Sequence, residues 1–295
     1  MEVKWGAWIS ATRPKTLVAS FIPVMIGASL AFSVHHEINH FLLFLCFSFS
    51  LMVQIGTNLA NDYFDFIRGS DRNRVLAPTR AVASGLLRPN HVRNAAYLFL
   101  GISFAVGIVI YNISNGPHSL FWIGLACISC AVVYTGGPFP LAYNGLGDLF
   151  VILFYGFIAV EATHFVLLVE QKALYTPDFI AALSIGCMTN ILLVVNNYRD
   201  YEEDKKNKKN TLIVIFGRKF GFFLFIFCNL IALLICPFLE PRLWLLYICL
   251  PLSMFGAIKI QKAKTKKEFD QLLSFSAISL LFSGVLSTVG ILLYY

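Results

Sequence analysis

Four polar residues in one short stretch, "GTNLANDYFDFIRGSD" (56–71), have the types and spacing of a ligand set: Asn58, Asn61, Asp62 and Asp65. Steps of three and four residues place all four on one face of a helix. A second stretch, "NNYRDYEEDKKNKKNTL" (196–212), repeats the arrangement with Asn197, Asp200 and Asp204 at i, i+3 and i+7. Carboxylates aimed at one another repel unless a cation lies between them. Hard oxygen donors of this kind suit Mg²⁺, which takes one or two carboxylates and completes its shell with water and phosphate oxygens. Asp62, Asp65, Asp200 and Asp204 are therefore the candidate metal ligands and catalytic acids. Basic residues follow each cluster: Arg68, Arg72, Arg74 and Arg80 after the first, Lys205, Lys206, Lys208 and Lys209 after the second. Arginine forks and lysine point charges match the oxygens of a diphosphate bridged by the metal. Acids and bases that merely mark solvated helix ends would not need two such motifs, each with Asn at a fixed offset.

The elements that carry these residues are apolar. Of 295 residues, 58% are hydrophobic and 13% charged, with 28 Phe, and the mean hydropathy is +0.72. Soluble domains carry about 25% charged residues, so the solvent here is lipid. No polar linker separates two cores, and residues 1–295 are read as a single membrane domain. Apolar runs of about 20 residues predict nine helices, at 15–34, 41–63, 93–112, 118–136, 145–168, 178–198, 219–238, 242–260 and 270–293. The first run is too long for a signal-peptide core and is read as a retained span. The weakest separations are the Gly-Gly-Pro-Phe-Pro stretch within 137–144 and Glu-Pro-Arg at 240–242.

Charge distribution tests that count. With the N-terminus inside, every Lys and Arg of the 23 except Lys172 and Arg242 falls in an inside segment. A miscounted helix would scramble that segregation, so the expected topology is N-in and C-out. The net charge of +7 is then orientation charge plus attraction to anionic lipid or substrate, and a nucleic-acid partner is excluded. Both acid motifs lie at the inside ends of even-numbered spans, hence on one membrane face. Their 138-residue separation suggests two related four-helix units, roughly 15–136 and 145–260, followed by a last helix at 270–293. The seven Cys lie mostly in apolar runs; Cys127-x-x-Cys130 lacks a second pair and reads as buried small hydrophobes. His35, His36 and His40 read as loop residues.

At this point the motifs resemble a known family. Asn-Asp-x-x-Asp at 61–65 with Asp71, and Asp-x-x-x-Asp at 200–204, are similar to those of the UbiA superfamily of intramembrane prenyltransferases. So are "SATRPKTLVASFIPVMIGASLAF" (10–32), "RAVASGLL" (80–87) and "YTGGPFPLAYNGLGDLFV" (134–151). These stretches look most like the branch that prenylates 1,4-dihydroxy-2-naphthoate in menaquinone biosynthesis, in which the third acid of the first motif follows a Gly, as Asp71 follows Gly69 here. The resemblance implies an all-α membrane protein of about nine helices around a central cavity open sideways to lipid. It implies Mg²⁺ as cofactor, a polyprenyl diphosphate donor and an aromatic acceptor, with demethylmenaquinone as product. Asn58, Asp62, Asp65, Asp200 and Asp204 would hold Mg²⁺ and diphosphate. Asn61, Asn197, Arg68, Asp71, Arg80 and Lys205 would contact diphosphate or close loops over it, and Tyr134 and Asp148 would lie near donor or acceptor. It places the enzyme in the cell membrane as a multi-pass protein with its active site facing the cytoplasm.

One segment departs from the pattern. In "VEATHFV" (160–166), Ala162 stands where the related naphthoate enzymes carry Gly, and His164 where they carry an aromatic. An ionisable residue inside a span is a functional candidate, yet Glu161 lies roughly 20 Å along its helix from Asp148. The segment keeps other acceptors open, 1,4-dihydroxy-6-naphthoate or a 4-hydroxybenzoate. A Mg²⁺ or anion transporter would require polar residues continuing through the bundle, whereas 42–52 is almost wholly apolar and 179–183 wholly so.

Overall fold

The structure, a computed structural model, describes residues 4–71 and 75–294; Arg72 and Arg74 lie outside the described residues. A short helix α1 (Trp5–Thr12) precedes α2 (Val18–His35), α3 (His40–Arg68), α4 (Pro89–Ser114) and α5 (His118–Val133). Then come α6 (Gly147–Glu170), α7 (Phe179–Arg199), the short α8 (Tyr201–Lys206) and α9 (Leu212–Phe216), α10 (Arg218–Leu239), α11 (Pro241–Lys262) and α12 (Lys266–Leu293). Eight of these are long and apolar enough to cross a membrane, and α5 is a shorter apolar helix of 16 residues. Together they account for the nine runs in the sequence. The described residues contain no strand, and a lone bridge pairs Asn144 with Asn210.

The differences from expectation lie at helix ends. Helix α1 was not expected, because eight residues carry too little periodicity to register. Helix α3 runs to Arg68, five residues beyond its apolar stretch, and carries its whole acid motif as helix until Gly69 closes it at φ 79°. The two weak separations hold. Glu240 is extended and Pro241 opens the next helix, whose first nine residues wind as 3₁₀. Pro140 likewise leads into a single 3₁₀ turn at Leu141–Tyr143.

Helices α7 and α2 are the central posts, with 72% and 67% of their spanning windows buried against 22% for α4 at the rim. The largest apolar cluster wraps α7 with residues of α2, α6, α10, α11 and α12. Helices α6 and α7 cross at Gly156 and Gly186, where a Cβ on Gly156 would stand 2.5 Å from the Ala182 carbonyl oxygen. Small residues at such a crossing let backbones meet without a hydrophobic driving force in lipid. Helix α6 winds as π-helix over Ile152–Ile158 around that crossing.

Candidate active site

Both acid motifs open onto one polar chamber of about 300 Å³. From α3 it receives Asn61, Asp62 and Asp65, from α7 Asn196, Asn197 and Arg199, and between α7 and α8 it receives Asp200. Tyr134, Asp148, Arg80 and Lys209 complete its wall. The one-face spacing on α3 is realised: Asn58, Asn61, Asp62 and Asp65 are all buried on the inner side. The second motif is not one continuous face. Asp200 ends α7 with ψ near 4°, so Asp204 sits on α8, buried beside Lys209 (3.8 Å) and outside the chamber lining.

The four acids differ in what holds them. Asp65 Oδ2 pairs with the Arg80 guanidinium at 2.8 Å, and its Oδ1 accepts from the Tyr143 hydroxyl at 2.7 Å. Arg80 reaches Asp71 Oδ1 with its Nε (3.2 Å) and donates to the Asn61 carbonyl (2.9 Å). Burial disfavours the Arg80 charge, but the carboxylates of Asp65, Asp71, Asp62 and Asp200 outweigh it and hold the guanidinium's pKa above its ordinary value. Asp200 takes a two-pronged contact from Arg199, at 2.6 and 2.9 Å. Asp62 is 2% exposed, and its Oδ1 has no hydrogen-bond partner. A buried carboxylate oxygen with no donor from protein is costly unless a cation meets it.

That orphaned oxygen is the test of fit for Mg²⁺, and the site passes it. Among the described residues no three His, Cys, Asp or Glu side chains converge as a complete metal cage. Mg²⁺ does not need one, since it typically uses one or two carboxylates and takes its other ligands from water and phosphate.

Other expected residues have structural duties. Asn58 donates to the Thr12 carbonyl (2.8 Å) and Thr16 Oγ1 (3.3 Å), tying the segment after α1 to α3. Arg68 turns away from the chamber, donating to the carbonyls of Thr135 and Gly137 and stacking over Tyr143. Asp71 is buried and pairs with Arg80. Asp148 accepts from Asn190 Nδ2 at 3.1 Å. Lys205 is exposed, its ammonium over the Tyr201 ring, and does not reach the chamber.

Sequence reasoning missed Tyr143, Arg13 and Asn190. The Tyr143 phenol touches Asp65 and Ser70 Oγ (2.6 Å), and its ring carries Arg68 and Lys209 at 5.2 and 5.4 Å. Burial pushes its hydroxyl pKa up, and the neighbouring Asp65 charge adds to that, so it remains a donor. Its signal was its place in "PLAYNGLGD". Arg13, at φ 53°, lines both this chamber and the next.

The next chamber, about 280 Å³, is apolar and runs between α2, α3, α4, α5, α6 and α7. It shares Arg13, Thr16, Asn61, Tyr134, Leu193 and Asn196 with the polar chamber. Phe49, Phe150, Phe154 and Tyr155 line it, as do the free thiols Cys127 and Cys130. Ala162 and Thr163 of the departing segment also face it, whereas Glu161 and His164 do not. A charged end joined to a narrow apolar extension matches an amphiphile with an anionic head and a hydrocarbon tail.

The UbiA prenyltransferase family matches residues 20–291. The chain belongs to that family. It is a membrane prenyltransferase. Over 292 residues it is 30% identical to the 1,4-dihydroxy-2-naphthoate octaprenyltransferase of Bacillus subtilis (strain 168), covering 96% of this chain and 91% of that one. The protein of the same description from Mycobacterium leprae is 36% identical over 213 residues, covering 72% and 70%. Among solved structures, a UbiA homolog from Archaeoglobus fulgidus bound to GPP and Mg²⁺ superposes with a TM-score of 0.61 at 15% identity, covering 96% of this chain and 99% of that chain. At that identity the likeness is one of fold, and it places this prenyltransferase in the same helical architecture.

Proposed function

We propose that this prenyltransferase transfers a polyprenyl group from polyprenyl diphosphate to 1,4-dihydroxy-2-naphthoate, yielding demethylmenaquinol, the reduced form of demethylmenaquinone. The observation that carries the reading is the junction of the two chambers, acidic and basic on one side and apolar on the other, with Asp62 Oδ1 buried and unpartnered at the polar side. The relatives' shared description supports the choice of acceptor.

Asp62 and Asp200 would hold Mg²⁺ with the donor diphosphate, aided by Asp65 and Asn197. Bound there, Mg²⁺ supplies charge neutralisation to the departing diphosphate. Lys209, Arg13 and Lys15, all on the chamber wall, add positive charge where negative charge develops. The allylic C–O bond breaks with its electron pair leaving on diphosphate. The prenyl carbon forms a C–C bond to the electron-rich ring, and the ring carboxylate departs as CO₂. Tyr134, shared by both chambers, would lie near the allylic carbon, where its ring could stabilise the positive charge. The apolar chamber keeps water from that cation.

We also infer that the polar chamber faces the cytoplasm, as the segregation of Lys and Arg supports, and that α3 and α7 descend from equivalent helices of two duplicated units. The test is an assay in nanodiscs with labelled polyprenyl diphosphate, Mg²⁺ and a panel of aromatic acceptors. Product with 1,4-dihydroxy-2-naphthoate is expected. Product with a hydroxybenzoate alone would move the acceptor, and no product with any acceptor would overturn the donor reading.

A further inference from the structure

His164 lines neither the polar nor the apolar chamber, yet it is 2% exposed and neither ring nitrogen has a hydrogen-bond partner. It lies 16 residues beyond Asp148 on α6, roughly 24 Å along the helix, and so at the opposite end of the bundle from the acid motifs. There it lines a third cavity, about 320 Å³, together with Asp178, Glu240 and Arg242. Arg242 donates from Nε to Glu240 Oε1 (2.8 Å), from its NH2 nitrogen to Glu240 Oε2 (3.0 Å), and also pairs with Asp178 Oδ2. Behind His164, Glu161 accepts from the Tyr175 hydroxyl (2.7 Å) and the Asp178 amide (3.0 Å).

The charges fix the ligand's sign. Three carboxylates, Asp178 and Glu240 on the wall and Glu161 behind His164, outnumber the one guanidinium, so an anion is disfavoured. The imidazole fixes the chemistry further. Its Nδ1 stands 3.8 Å from Glu161 Oε2; a proton on Nδ1 directed there leaves Nε2 as an acceptor in need of an N–H donor. The cavity also has an apolar wall, including Val34 and Phe179, both exposed on the bundle surface.

We propose that this cavity binds the headgroup of a phospholipid bearing a primary ammonium, with the ammonium donating to His164 and facing Asp178 and Glu240, and the acyl chains leaving past Val34 and Phe179. A quaternary ammonium has the same charge but no N–H to donate. That difference gives the test.

The full chain is reconstituted in nanodiscs of phosphatidylcholine alone and with one-third phosphatidylethanolamine, and thermal unfolding is followed in each. The ethanolamine lipid is expected to raise the midpoint by about 2–4 °C and to co-purify after mild detergent extraction. His164→Phe, and independently Glu240→Gln, should abolish the rise; the second keeps the amide oxygen toward Arg242 and guards against a folding defect in the first. Equal midpoints in the two lipids for the unaltered chain, or a rise that survives both substitutions, would overturn the proposal. So would free ethanolamine matching the lipid's effect in phosphatidylcholine discs.

Discussion

The two acid motifs read alike in sequence and are built differently. On α3 the helix continues through the motif, so Asp62 and Asp65 stay one turn apart on a buried face, and the loop residue Arg80 comes back to hold Asp65. On α7 the helix stops at Asp200, and the next acid, Asp204, belongs to a separate short helix beside Lys209. The first motif thus has one fastened carboxylate and one with an open oxygen. The second has Asp200 at the chamber wall and Asp204 behind it. Matching spacing does not make matching roles, because a helix terminus re-aims everything beyond it.

That contrast orders the expected effects. Asp62→Ala should give the largest loss of transfer, at least about 10²–10³-fold, with a smaller fall in melting midpoint than Asp65→Ala, since its Oδ1 holds no protein donor and its carboxylate loses only the Val82 amide; an equal or larger fall would break the distinction between the acids of α3. Chelating divalent cations should abolish transfer to a similar degree, with recovery on adding Mg²⁺. Asp65→Ala should lose both activity and stability, the latter by roughly 1–3 kcal/mol, because Arg80 and the Tyr143 hydroxyl each lose a partner. Asp204→Ala should reduce kcat/KM far less than Asp200→Ala, about tenfold or under against 10²-fold or more; equal losses would restore the symmetry of the two motifs. Lys205→Ala should alter transfer less than twofold, its ammonium being exposed and off the chamber.

A similar contrast runs along α6. Four consecutive residues, Glu161 to His164, drew notice together as a departure. Ala162 and Thr163 face the apolar chamber, while Glu161 and His164 face the far cavity or its back wall. Helical rotation of 100° per residue separates them, so the first pair shapes the wall of the apolar chamber and the second belongs to the far-end cluster.

Much of the site was legible because its signals are local. Nine apolar runs, the Pro-marked breaks at 140 and 241, and the acid spacing on α3 all depend on residues close in the chain. Where Arg68 and Lys205 turn was not legible for the opposite reason: being basic and near a motif does not decide whether a flexible side chain turns toward a chamber, a backbone carbonyl or a neighbouring ring. Tyr143 and Asn190 were missed because their partners, Asp65 and Asp148, lie 78 and 42 residues away.

The sequence by itself determined that this chain lives in lipid, that it has about nine helices and that hard-oxygen acids with basic neighbours concentrate in two places. Hydropathy and helical periodicity are properties of a segment alone, and lipid enforces helix wherever a segment spans it. Only the tertiary structure decided which acid keeps an open oxygen, that a polar chamber meets an apolar one at Tyr134, and that His164 faces the far end. Those outcomes depend on which helices touch and at what rotation, and side-chain packing between distant segments sets both.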